Sequence, residues 1–287
     1  MMDFKKNQAV KNNIGDKVWS RKPGELINEV KRILRIKHYS IRTEHTYIAW
    51  IRKFIDYNNK KHPLDMGEPE VEAYLTYLAV EKKVAGSTQN QAFNALIFLY
   101  REVLKKPLEG RVNAVRAKKP VRLPVVMTQE EVSTVLSLMQ GVPQLMAKLL
   151  YGGGLRLMEV IRLRVKDLDF AMKQIIVRAG KGDKDRYTIL PDGLMSDLQD
   201  QLTRVKVLHD KDLAEGHGAV YMPDLMAKKY PKAAKEFAWQ YVFPARKTSL
   251  DPRSNIVRRH HVGPSILEKA IRRAVVEAGI NKGVTTH

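Results

Sequence analysis

The sequence predicts a mostly helical bundle over residues 23–106, followed by an α+β domain over 125–287 built around a small antiparallel sheet. Three observations predict it. Apolar residues recur at helical spacing almost throughout Gly24–Lys106. Prolines and cations then break that pattern over 107–124. Beyond Thr128, helical stretches flank two short alternating runs joined by a glycine-rich turn. A chain of 287 residues can bury a core in each of two domains.

Residues 1–22 are polar, lack periodicity and read as a frayed arm. In the bundle, Ile27, Val30, Ile33 and Leu34 share one helical face. Tyr47, Trp50, Ile51, Phe54 and Ile55 share a second, behind Ser40 as a cap. Val71, Tyr74, Leu75 and Leu78 form a third after an acidic first turn at Glu68 and Glu70. Ala92, Ala95, Leu96, Leu99 and Tyr100 form a fourth, with Ser87 as the expected cap. The linker carries Pro107, Pro120 and Pro124, with Arg111, Arg116, Lys118, Lys119 and Arg122 against Glu109. That composition suits a solvated tether, and equally one that runs along a phosphate backbone. Thr128-Gln-Glu-Glu131 is a capping box. It opens helices expected near 128–139 and 143–151, with another from Leu157. Strands are expected at Gln174–Arg178 and Arg186–Leu190, and helices near 192–209 and 263–278.

Composition narrows the function. Lys and Arg number 51 against 31 Asp and Glu, a net charge of +20 shared by both halves. Such an excess fits a polyanion, meaning nucleic acid or an anionic membrane. The absence of cysteine excludes a disulfide scaffold, a thiolate zinc site and a cysteine nucleophile. Apolar runs such as Leu145–Leu150 are far shorter than a membrane span, and Met1–Asp16 has no signal-peptide core. A cytoplasmic protein is expected.

Two motifs carry candidate chemistry. Gly152-Gly-Gly-Leu-Arg-Leu-Met-Glu159 is neither a dinucleotide fingerprint nor a P-loop. It offers a turn and then Arg156 at a helix start, where a guanidinium and first-turn amides can grip a phosphate. It suits as well a structural ion pair of Arg156 with Glu159. Gly180-Lys181-Gly182 puts a lysine on a hairpin tip, with Lys184 and Arg186 adding charge nearby.

Together, Gly-Leu-Arg-x-x-Glu and the later Gly-Lys-Gly-x-Lys-x-Arg resemble the tyrosine site-specific recombinases. The helical bundle and basic linker resemble that family's SAM-like core-binding domain, and the second domain its catalytic domain. The family's His-x-x-Arg signature is matched in part by the stretch from Ala278 that ends at His287. A segment from about His209 to His261 resembles the extra segment of the integron integrases. It holds Tyr230, Trp239, Tyr241, Pro252, His260 and His261 among cations, a mix suited to stacking unpaired bases. Trp239 reads equally as a core aromatic. The His260–His261 pair lacks a third ligand at standard spacing, so no metal site is expected.

The resemblance implies an enzyme that cuts and rejoins DNA through a 3′-phosphotyrosyl intermediate, with no cofactor. It implies that Arg156 and His287 hold the reacting phosphate, that Lys181 protonates the leaving oxygen, and that Glu159 supports Arg156. DNA contacts would come from Lys184, Arg186, Arg116, Lys118, Lys119 and Arg122, with Tyr230, Trp239, Pro252, His260 and His261 holding extrahelical bases. The implied partners are duplex or folded single-stranded recombination sites and further copies of the chain, at the bacterial nucleoid and not at a membrane. The family's second arginine and its nucleophilic tyrosine would fall beyond His287, so these 287 residues are expected to lack them, as a C-terminally truncated member would. Two alternatives stand beside this reading. One is a non-catalytic DNA-binding protein on the same fold, the other a general basic nucleic-acid-binding protein.

Overall fold

A computed structural model of the chain describes residues 23–108, 112–117, 125–178 and 184–286. The chain folds as two compact units, 1–122 and 123–287. In the first, α1 (Pro23–Ile36), α2 (Ile41–Tyr57), α3 (Glu68–Val80) and α4 (Gly86–Phe98) surround one core. The apolar stripes named above make that core: Val30, Leu34, Ile51, Phe54, Val71, Ala92, Ala95 and Leu96 are fully buried. Each large aliphatic or aromatic side chain so buried contributes on the order of 1.5–3 kcal/mol. Ser40 caps α2, its hydroxyl accepting from the Thr43 amide at 3.1 Å. Glu70 closes the start of α3, accepting from the Gly67 amide at 2.8 Å. Ser87 is not a cap. The helix begins one residue earlier, after extended Ala85, so Ser87 falls inside its first turn. The buried Glu44 carboxylate takes both Nε and Nη2 of Arg35 at 3.1 and 3.0 Å, fastening α2 to α1.

The stretch 112–117 is a strap on this unit. Its Val112 and Ala114 pack on the bundle core, as does Leu108. Gln89, buried in α4, donates to the carbonyls of Leu75 and Val115 and accepts from the Ala117 amide at 2.9 Å. Glu72 and Thr76 of α3 accept from the amides of Asn113 and Val115. Arg116 points outward, its guanidinium 5.7 Å from the Phe93 ring centre.

The second unit opens with α5 (Gln129–Leu138), where Thr128 and Glu131 form the expected reciprocal cap at 3.2 and 2.8 Å. α6 (Gly141–Gly152) and α7 (Leu157–Ile161) follow. Strands β1 (Leu168–Asp169), β2 (Gln174–Val177) and β3 (Arg186–Ile189) pair antiparallel in that order, with Ile175 opposite Thr188 and Val177 opposite Arg186. One sheet face, with Ile175 and Val177, enters the core, and Tyr187 and Ile189 face solvent. The next helix, α8 (Met195–Ala214), runs five residues beyond the expected end. His209 is therefore a buried helical residue, and the irregular segment begins only after Ala214. That segment contains α9 (Asp224–Lys229) and the ribbon of β4 (Ser249–Leu250) with β5 (Val257–Arg258). Finally α10 (Pro264–Glu277) packs on α5 and α6. No helix of the described residues is long and apolar enough to cross a membrane.

Candidate functional site

The site is built on the turn between α6 and α7. Gly153 ends α6, and a Cβ there would lie 2.8 Å from the Leu149 carbonyl oxygen, too close for any side chain. Gly154 turns the chain with φ +60°, in the left-handed region that glycine tolerates. The Thr188 hydroxyl of β3 donates to the Gly153 carbonyl at 2.7 Å and fixes the turn against the sheet. Arg156 is thereby delivered to the N-cap of α7, half-exposed.

Glu159 organises the charges around it. Its Oε2 accepts from the Arg156 amide at 2.8 Å, and its Oε1 from Arg156 Nη1 at 2.8 Å. Arg186, at the start of β3, grips the same carboxylate with Nη1 at 2.9 Å and Nη2 at 2.7 Å. The Arg186 fork, with the Arg156 amide and guanidinium, holds the Glu159 carboxyl at about 2, so it is ionised at any physiological pH. The base of the hairpin has its own tie, Arg178 Nε donating to buried Asp167 at 2.7 Å. Lys184 is exposed, two residues before Arg186 in the chain. Lys181 and His287 lie outside the described residues, as do Lys118, Lys119 and Arg122.

A second cluster adjoins α7 on its C-terminal side. Arg164 donates Nη1 to the Trp239 carbonyl at 2.6 Å and Nη2 to the Tyr221 carbonyl at 2.8 Å. Its guanidinium also covers the Tyr241 ring at 4.7 Å. Lys166 sits 2.9 Å from the Trp239 ring centre. Backbone bonds Val165 to Gln240 and Val242 to Leu163 sew the irregular segment to this strand-like stretch. His260 and His261 lie against each other with ring centres 3.9 Å apart and planes tilted by 57°, and both contact the Tyr241 ring. Burial pulls the His261 imidazole down to about 4, so it is a neutral ring at pH 7. Trp239 is half-buried, and His260, Pro252 and Tyr230 are exposed. The structure thus brings His260 and His261 to the Tyr241 ring, with Arg164 joining Tyr241 to Trp239.

Several residues of these sites carry no motif-spacing signal in the sequence. Arg164 and Lys166 bracket Trp239, and the alternation Arg162, Arg164, Lys166 was the signal available. Asp212 and Arg259, a buried bidentate pair at 2.5 and 2.6 Å, lock α8 to the stretch that carries His260. Arg186, grouped by sequence with the DNA-facing charges, meets Glu159.

Residues 26–110 match the family described as the phage integrase N-terminal SAM-like domain, and residues 125–287 match the phage integrase family. The chain belongs to the phage integrase family. It is 44% identical over 263 residues to an integrase/recombinase of Escherichia coli, a match covering 92% of this chain and 78% of the relative. Tyrosine recombinase XerA of Thermococcus kodakarensis is 29% identical over 182 residues, 62% of this chain and 61% of the relative. Among solved structures, a lambda integrase dimer bound to a COC′ core site aligns with a TM-score of 0.55 at 14% identity, over 90% of this chain and 79% of that one. The Tn1549 transposon integrase, in complex with transposon right end DNA, aligns at 0.56 and 13%, over 91% and 81%. At such identities these integrase structures show the shared fold: a helical SAM-like domain followed by a catalytic domain with small antiparallel sheets.

Proposed function

We propose that this phage integrase family member is a site-specific tyrosine recombinase, breaking and rejoining DNA through a 3′-phosphotyrosyl link. The observation that carries the reading is Arg156 at the N-cap of α7, held through one nitrogen by Glu159 with the rest of its guanidinium turned outward. Attack on a phosphodiester builds negative charge on the non-bridging oxygens. A preorganised guanidinium stabilises that charge without moving. Lys181, on the hairpin whose β3 end is tied to Glu159, would protonate the departing 5′-oxygen, and His287 would donate to the same phosphate. The covalent link conserves the bond energy for rejoining, so no nucleotide is consumed.

In the finer reading, the substrates are gene cassettes of the integron kind, at folded single-stranded sites. The cluster of Trp239, Tyr241, His260 and His261 supports it. The rings of half-buried Trp239 and exposed His260, beside Arg164 and Lys166 and backed by buried Tyr241, offer stacking to a base that has left its duplex. Basic residues from the linker, including Arg116, Lys118, Lys119 and Arg122, would follow the backbone. Copies of the chain would assemble on the DNA at the nucleoid, in the cytoplasm. The nucleophilic tyrosine is proposed to lie outside residues 1–287.

The test uses the chain continued through the family's second arginine and tyrosine. Arg156→Ala is expected to lower cleavage on the order of a hundredfold or more while DNA binding stays within a few-fold. Residues 1–287 alone are expected to give no covalent DNA adduct. Undiminished cleavage by Arg156→Ala would overturn the assignment.

A further inference from the structure

The Glu159 carboxylate is fully subscribed. Oε1 accepts from Arg156 Nη1 and Arg186 Nη1, and Oε2 from the Arg156 amide and Arg186 Nη2. An ionised carboxylate has about four acceptor positions. Arg186 fills two of them with a planar fork, the geometry that guanidinium and carboxylate satisfy best. What remains for Arg156 is one side-chain bond. Its Nε and Nη2 carry no bond within the described residues, and the side chain keeps 52% of its surface exposed. The two arginines compete for one carboxylate, and Arg186 holds the larger share.

We propose that Arg186 is a positioning residue: by occupying Glu159 through both oxygens, it limits Glu159 to a single-nitrogen hold on Arg156 and leaves the rest of the Arg156 guanidinium free for a phosphate. Remove the Arg186 fork and one acceptor position opens on each Glu159 oxygen, Oε1 already lying 2.8 Å from Nη1 of a guanidinium with unused N–H groups. Arg156 then turns its second nitrogen onto Glu159, and the phosphate loses its partner. Arg186 itself touches no phosphate. The same fork ties β3, the strand leaving the hairpin, to the N-terminus of α7. The sequence offers no spacing rule for this. The two residues are 27 positions apart, and the β2–β3 register sets where Arg186 lands.

This inference rests on the reading of Arg156 as a phosphate-binding residue, and the test separates the two. Residues 1–287 are titrated onto a fluorescent duplex of arbitrary sequence at several NaCl concentrations. The slope of log K against log salt counts neutralised phosphates at about 0.9 each. Arg156→Ala is expected to lower the slope by about 0.9. Arg186→Gln is expected to lower it by the same amount, and the Arg156→Ala/Arg186→Gln pair by no more than either alone. Glu159→Gln/Arg186→Gln is expected to return the slope to the wild-type value, because a neutral amide, with one acceptor oxygen and no charge, holds Arg156 too weakly to compete with a phosphate. Losses that add, with no rescue by Glu159→Gln, would put Arg186 on a phosphate and overturn the proposal alone. A wild-type slope for Arg156→Ala would overturn the phosphate role of Arg156 and the proposal with it. Should Arg186→Gln fail to fold, Arg186→Lys carries the same test, since an ammonium cannot fork.

Discussion

Lys166 holds its charge against the face of Trp239, and that placement sets a pH at which the site changes. Burial first, and then the neighbouring Arg178, bring the ammonium down to about 8. Trp239 emission is expected to titrate with a midpoint near that value, and Lys166→Met to abolish the transition. An emission flat between pH 7 and 9 in wild type would contradict the placement. Glu159 titrates at the other end of the scale. Its carboxyl falls from an ordinary 4.5 to about 2 in the folded chain, mainly because Arg186 donates to it. A lowered acid pKa means that the unfolded chain takes up the proton first as pH falls. The stability that Glu159 contributes is therefore complete above about 4.5 and is lost as pH drops toward about 2. Denaturation midpoints of wild type and Glu159→Gln are expected to differ at pH 6 and to converge over that window. A constant difference down to pH 2 would refute it.

Among the elements, the irregular segment after α8 has the most to reveal. Its anchors are internal: Gln240, buried, donates to the carbonyls of Gly218 and Glu236, and Arg258 to that of Val220. They hold the segment through its backbone carbonyls and not through the rings. Trp239→Ala is expected to reduce affinity for a bulged DNA hairpin by about 1–3 kcal/mol while leaving the same stem without bulges unchanged. An equal loss on both would make the segment a general contact and not a reader of extrahelical bases. The elements themselves were largely legible. Amphipathic stripes locate the helices because burial of one face stabilises them more than propensity does. The Thr128 cap marks a boundary through backbone chemistry that few residues can supply, while the hairpin glycines Gly180 and Gly182 lie outside the described residues. The end of α8 is marked by Gly216 and not by His209, where no glycine or proline stops the helix, and its buried Asp212 finds Arg259 only in three dimensions. Arg156 and Glu159 were legible as a local motif on one helical turn. Arg164 was not, since its carbonyl partners are 75 and 57 positions away.

At the scale of the whole molecule, each unit has a buried cluster of its own among the described residues, and one large charge is spread over both. With 51 basic side chains against 31 acidic ones, binding to DNA is dominated by displaced counterions. Affinity for a duplex is expected to fall linearly in log–log form as salt rises, by about 0.9 decades per decade for each phosphate neutralised. Binding that ignores salt would rule out the basic faces as the contact. Separate cores also mean that a cavity made in one unit, as by Phe54→Ala, acts first on its own cluster. The expected cost is about 3–5 kcal/mol, with hydrogen exchange quickened in 23–104 ahead of the second unit.

The strap over α3 and α4 decides where this protein can be divided. Composition alone would place a cut near Lys106, where the helical pattern ends. Such a cut would take away the Val115 carbonyl and the Ala117 amide that the Gln89 amide group engages. The bundle would keep a polar side chain in its interior with its oxygen unmatched, a penalty of about 1–3 kcal/mol. A fragment ending at Ala117 retains both bonds. Of two such N-terminal fragments, the longer is expected to melt higher, and Gln89→Leu is expected to narrow the gap.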